Sequence, residues 1–185
     1  AQQLLADDGA TPISVNAATG DFIVVDTLKI NQAEVAIGKV AGAVNQGGTA
    51  VAVGANAGQT NQGGQAVAIG AGAGNNGQGQ EAIAIGVLAG QTTQGIDSIA
   101  IGDAAGNNGQ GNGAIAMGAG AGNTNQRGNA VAIGQNAGFN TQSQSSVAIG
   151  ESAGQTTQGA NSVAIGINAG QTNQGASNVA IGGGC

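Results

Sequence analysis

Nine carboxylates, three basic side chains, one thiol and no histidine are the groups in this 185-residue chain that could do chemistry. General acid–base catalysis needs a His, or a carboxylate pair held in one pocket. Glu81, Asp97, Asp103 and Glu151 are scattered across different positions of a repeat, and they build neither a pair nor a ligand cage. The Gly-rich calcium-binding nonapeptide with its Asp is missing too. These acids read as solvated surface charge. No catalytic, cofactor-binding or metal site is expected, and the chain is not expected to be an enzyme. The formal net charge is −6, and the cations are only Lys29, Lys39 and Arg127. Nucleic acids and anionic membranes are held by a basic stripe, so neither partner is expected. No apolar run approaches the length that inserts into a membrane; "FIVV" at 22–25 is four residues long. A single Cys, Cys185, cannot close an intrachain disulfide. It reads either as an interchain disulfide or as a handle behind a Gly linker, with 183–185 as a tail.

The side chains that do recur are amides and hydroxyls. Gln stands at Gln46, Gln62, Gln78, Gln94, Gln110, Gln126, Gln142, Gln158 and Gln174, each sixteen residues from the last. Stacked at strand spacing, such a column becomes a hydrogen-bonded amide ladder. A neighbouring Thr/Asn column runs through Thr60, Asn76, Thr92, Asn108, Thr124, Asn140, Thr156 and Thr172. A flat Thr array on a solenoid is one way to bind ice, and this gives an alternative function.

What would position these columns is a repeat without a single insertion or deletion. The motif V-A-I-G and its variants end at Gly38, Gly54, Gly70, Gly86, Gly102, Gly118, Gly134, Gly150, Gly166 and Gly182. An Ala-Gly pair follows each of the first nine, Ala41-Gly42 through Ala169-Gly170. A-V-A-I is β-branched and alternating, so it predicts a short strand. The Gly pairs and the N-Q-G or N-G-Q-G stretches predict turns. Two turns in sixteen residues close one coil of a parallel β-solenoid, or β-roll, and a second strand is expected through the A-G-Q-T-N segment. Helix is disfavoured, since each Gly costs about 1 kcal/mol in a helix interior. The fold class is therefore all-β, with ten 16-residue coils over 34–182 and a rod length of roughly 45–50 Å at strand spacing.

The predicted strand core is Val35, Ile37, Val51, Val53, Val67, Ile69, Ile83, Ile85, Ile99, Ile101, Ile115, Met117, Val131, Ile133, Val147, Ile149, Val163, Ile165, Val179 and Ile181. Alternation puts Ala, such as Ala164, on the opposite face. A strand with one wet face should alternate apolar with polar. Here both faces are apolar or small, so one fills the coil and the other meets another chain. Sequence leaves open which does which. A continuous lengthwise seam favours self-association, with a homotrimer the attractive form. A monomer with an Ala-rich outer face is the plainer reading.

The motifs N-S-V-A-I-G (161–166), S-S-V-A-I-G (145–150), D-S-I-A-I-G (97–102) and S-N-V-A-I-G (177–182) resemble the head repeats of trimeric autotransporter adhesins. That resemblance implies a left-handed parallel β-roll, three chains side by side and an adhesive or fibrous role outside the cell. The rigid sixteen-residue spacing departs from the family's more usual period near fourteen. More loosely, the Gly/Asn/Gln-rich arrays resemble fibre proteins of phages and large algal viruses. The expected function is thus a structural or adhesive fibre on a virion or cell surface.

Residues 1–33 fall outside the period and hold the only Pro, Pro12. They read as a cap for the first coil, or as an attachment segment for a capsid, baseplate or surface anchor. Arg127, Phe139 and Ser143 interrupt the columns in one stretch. Phe139 reads as a contact point if exposed, and otherwise as repeat drift.

Overall fold

The computed structural model describes residues 34–184, all within the unit Gln32–Cys185. The cap or attachment segment expected over 1–33 and the handle Cys185 lie outside the described residues. Sixteen three-residue strands follow one another: β1 (Val35–Ile37), β2 (Val51–Val53), β3 (Thr60–Gln62), β4 (Val67–Ile69), β5 (Asn76–Gln78), β6 (Ile83–Ile85), β7 (Thr92–Gln94), β8 (Ile99–Ile101), β9 (Asn108–Gln110), β10 (Ile115–Met117), β11 (Val131–Ile133), β12 (Asn140–Gln142), β13 (Val147–Ile149), β14 (Thr156–Gln158), β15 (Val163–Ile165) and β16 (Val179–Ile181). There is no helix among the described residues.

Every strand of the repeated motif pairs in parallel with its copy one coil away. The order is β1-β2-β4-β6-β8-β10-β11-β13-β15-β16, one sheet of ten strands. Register is strict: Ala116 faces Ala132 and Ile115 faces Val131. The chain is a parallel β-solenoid. Its ten motif strands bound nine complete turns, one fewer than ten registers suggest, because each turn needs two. Between coils the backbone bonds run along the rod, as in Val51 N–H to Ala66 O at 2.9 Å and Gly70 N–H to Val53 O at 2.8 Å.

The second wall begins later than the A-G-Q-T-N segment suggests, at the T of T-N-Q. The Gly four residues after the motif turns a corner first; Gly90, for example, has φ +52°. This wall is built from β3-β5-β7-β9 and β12-β14. Single bridges through Thr124, from Asn108 and to Asn140, join the two pieces. Its middle residue lies in the left-handed region in coil after coil, with Asn61 at 53°, Thr93 at 52° and Asn125 at 54°. Asn tolerates that conformation; a β-branched Thr rarely adopts it.

The interior differs from the predicted strand core. The apolar core is Ala: Ala52, Ala68, Ala84, Ala100, Ala116, Ala132, Ala148 and Ala164 from the motif, with Ala57 through Ala169 from the Ala-Gly corners; the residue before each of these motifs, Ala or Ser as at Ala66 and Ser98, is fully buried as well. The Val, Ile and Met side chains of the same strands point out of the coil, from Val35 and Ile37 to Val179 and Ile181, half-buried or exposed. The reason is the size of the coil. Sixteen residues fold into two walls that also enclose one Gln per turn, and the remaining space takes a methyl rather than a branched side chain. The motif Gly is equally constrained: Gly86 has φ +127°, and a Cβ there would stand 2.6 Å from Gly102 O of the next coil.

This assignment predicts that Ala100→Val destabilises the fold by roughly 1–3 kcal/mol through overpacking. Chemical denaturation monitored by far-UV circular dichroism checks it; an unchanged midpoint would place Ala100 outside the core.

Candidate functional site

Three longitudinal features could carry function: the outward apolar stripe, the interior amide column and the outer face of the T-N-Q wall. The stripe follows directly from the Ala interior. Two columns of apolar side chains, Val and Ile except for Met117, run along the ten-stranded sheet over nine coil spacings, roughly 43 Å at 4.8 Å each. The inner column, Val51 to Val163, is half-buried by its neighbours. The outer column is open: Ile69 is 40% exposed, Met117 39% and Ile165 37%. Val87 and Ile167, just beyond the motif Gly, widen the stripe with 50% and 59% exposed. Single exposed apolar residues are ordinary, but a contiguous one rimmed by polar corners marks a contact surface.

The amide column lies inside. Gln62, Gln78, Gln94, Gln110, Gln126, Gln142 and Gln158 are buried, while Gln46 and Gln174 at the two ends are half-buried. Each Nε2 donates across the coil to backbone carbonyls of the motif wall. Gln126 donates to Ile115 O at 2.7 Å and to Ala130 O at 3.2 Å. Amide-to-amide rungs join Gln110 to Gln126 at 3.2 Å, Gln126 to Gln142 at 3.1 Å, Gln142 to Gln158 at 3.2 Å and Gln158 to Gln174 at 3.2 Å. In the earlier coils the cross-coil bonds persist without the rungs, and Oε1 of Gln62, Gln78, Gln94 and Gln110 accepts no hydrogen bond. The column therefore staples walls throughout and forms an amide ladder from Gln110 onward. The Ala-Gly corner makes room for it: a Cβ on Gly122, where φ is +52°, would stand 2.5 Å from Gln126 Oε1.

A second, exterior amide column was not apparent from the sequence. Asn75 donates to Gln59 Oε1 at 3.0 Å, Asn107 to Gln91 Oε1 at 3.2 Å and Gln171 to Gln155 Oε1 at 3.3 Å. Its signal is the Gln/Asn choice one residue after seven of the nine Ala-Gly pairs, Ala43 and Phe139 being the exceptions. Phe139 occupies this column; its ring lies against Gly120 of the preceding coil and is half-buried. The Thr/Asn column is in register, Thr60 opposite Asn76 and Thr92 opposite Asn108. Its exposure alternates, with Thr60, Thr92, Thr124 and Thr156 half-buried and Asn76, Asn108 and Asn140 exposed.

Glu81, Asp97, Asp103 and Glu151 are all exposed at coil corners flanking the motif strands. Among the described residues, no three His, Cys, Asp or Glu side chains come together to hold a metal ion. No helix among them is long and apolar enough to cross a membrane. The molecule thus belongs architecturally to the parallel β-solenoids. No protein-family model, curated protein or solved structure matches the chain.

Truncating the staple tests its importance. Gln126→Ala removes two cross-coil bonds and two amide rungs at about 1 kcal/mol each, and leaves a cavity besides. A loss of roughly 2–5 kcal/mol in the unfolding free energy is expected, read from denaturant titration.

Proposed function

We propose that this protein is a structural rod that associates with copies of itself along the Val/Ile stripe, forming a fibre shaft or adhesive head on a virion or cell surface. The observation that carries this reading is the outward face of the ten-stranded sheet. A lone solenoid in water would gain by covering two continuous apolar columns. A second copy carries the same columns at the same coil spacing. A three-fold bundle with the stripes turned toward a common axis covers all three, which agrees with the resemblance of the V-A-I-G motif to trimeric adhesin heads. In this reading residues 1–33 serve as the cap or anchor, and the rod supplies length and stiffness in place of catalysis.

The Thr/Asn ladder, in register along the T-N-Q wall, supports ice binding as a second reading. Its alternating exposure makes it a poorer match to a flat lattice. Thermal hysteresis at millimolar protein would favour it over the fibre.

Sedimentation equilibrium tests the fibre reading. The expected mass is about 52 kDa, three times the 17.2 kDa chain. Paired Ile101→Lys and Ile133→Lys substitutions, outward and central on the stripe, are expected to give monomer with the β spectrum intact. A wild-type chain that sediments as an ideal monomer at high micromolar concentration would overturn the reading.

A further inference from the structure

The most irregular coil carries a feature that neither the stripe nor the amide column uses. On the outside of the T-N-Q wall, an open notch is lined by Thr93, Gly109, Gly111, Asn125 and Arg127. It exists because Gly109 has no side chain where the flanking coils carry Thr93 and Asn125, so those side chains form its sides; a Cβ on Gly111 would instead meet the next coil's backbone, 2.5 Å from Gly128 N. The coil at Gly77 and Gly79 has the same two glycines, but its flanks there are Asn61, Thr93, Gly63 and Gly95. Only the notch at Gly109 has a cation beside it.

That cation is out of pattern. Seven other coils have Gly where Arg127 stands, and Ser143 is the one further exception. The two side chains are accompanied by a local loosening of the stack. The bond from Ser145 N–H to Gly128 O is 3.2 Å, against 3.0 Å for Glu81 to Gly64 and 2.9 Å for Asn129 to Asn112. The wall is also thinned here to the single bridges at Thr124. Arg127 is exposed and is the only Arg in the chain. Along the adjacent corner column its neighbours are Gly113, Asn129 and Ser145, and the nearest acid there is Asp97, two coils away, about 10 Å at strand spacing. Among the described residues no carboxylate pairs with it.

We infer that the Arg127 notch is a binding site for a carboxylated saccharide, a uronate-type sugar. A guanidinium grips one carboxylate in a two-pronged fashion. The Asn125 amide in its own coil, and the Thr93 hydroxyl on the far side of the notch two coils away, offer both donors and acceptors, which suits the hydroxyls of an extended saccharide. One cation on a chain of net charge −6 suits a single carboxylate better than a polyphosphate. The site lies on the T-N-Q wall and leaves the Val/Ile stripe free for association. The inference rests on the adhesive reading only in supplying it with a ligand.

Titration of the 185-residue chain with trigalacturonate, followed by NMR, tests it. Saturable shifts at the Asn125, Arg127 and Gly109 amides are expected, with no response to the fully methyl-esterified trisaccharide. Two variants keep the fold safe because each installs a residue that other coils already use. Arg127→Gly removes the cation, and Gly109→Asn fills the notch with the residue found at Asn61 and Asn125. Both are expected to weaken binding roughly tenfold or more, with thermal unfolding unchanged or raised. No saturable shift at millimolar trigalacturonate, or binding that survives both variants, would overturn the site. Equal binding of the peptide Gly-Asp-Gly would overturn the saccharide assignment. Sedimentation of the same samples separates the two proposals: an oligomer that binds no uronate loses the notch alone, and a monomer that binds it loses the association alone.

Discussion

In each coil a Gln side chain reaches across the interior and donates its amide hydrogens to carbonyls of the opposite wall, and the rest of the structure is arranged around that bond. Gln126 Nε2 to Ile115 O, at 2.7 Å, is representative. A buried amide left unpaired would cost several kcal/mol, so the wall-to-wall distance has to match the reach of the side chain. That distance leaves room for a methyl and little more. Ala100, Ala105 and their equivalents therefore fill the coil. The amide oxygen sits where a Cβ would stand on the Gly four residues earlier, which explains that Gly column as a packing requirement as much as a turn.

A narrow coil has an outward consequence. The strand needs β-branched residues for its extended backbone, yet its interior cannot hold them. Val and Ile, with Met117 once, consequently face out in two continuous apolar columns, with Ile37 and Ile181 at the ends 51% and 68% exposed. The stability of one turn comes from backbone ladders, Ala contacts and the Gln staple, and each turn contacts only its neighbours, as in other repeat architectures. The hydrophobic surface that would build the core of an ordinary domain is left available for association.

Much of this was legible in the sequence and some was not, for physical reasons. Spacing alone specified the solenoid, because strict sixteen-residue recurrence of Val163-Ala164-Ile165 and its copies admits little else. The Gln column was legible as a ladder, although the cross-coil bonds to backbone carbonyls, its more constant role, need a fold to be seen. The facing of the strands was not decidable from alternation, since Ala and Ile both count as apolar. The invariance of Ala100 and its equivalents, against the Val/Ile/Met variation beside them, is the signal that a fixed volume confines the Ala. The left-handed residues in the T-N-Q wall were hidden by Thr93, Thr141 and Thr157, which give no turn signal. The Arg127 notch depends on side chains missing from a neighbouring coil, a relation visible only once the coils are stacked.

Hydrogen exchange of the Gln side-chain amides by NMR tests the central claim most directly. With the staple inside the coil, the Nε2 protons of Gln110, Gln126 and Gln142 should exchange far more slowly than those of the exposed Gln80 and Gln144. Exchange of Gln126 at the rate of Gln144 would put the amide in water, and with it would fall the narrow Ala interior and the outward Val/Ile stripe.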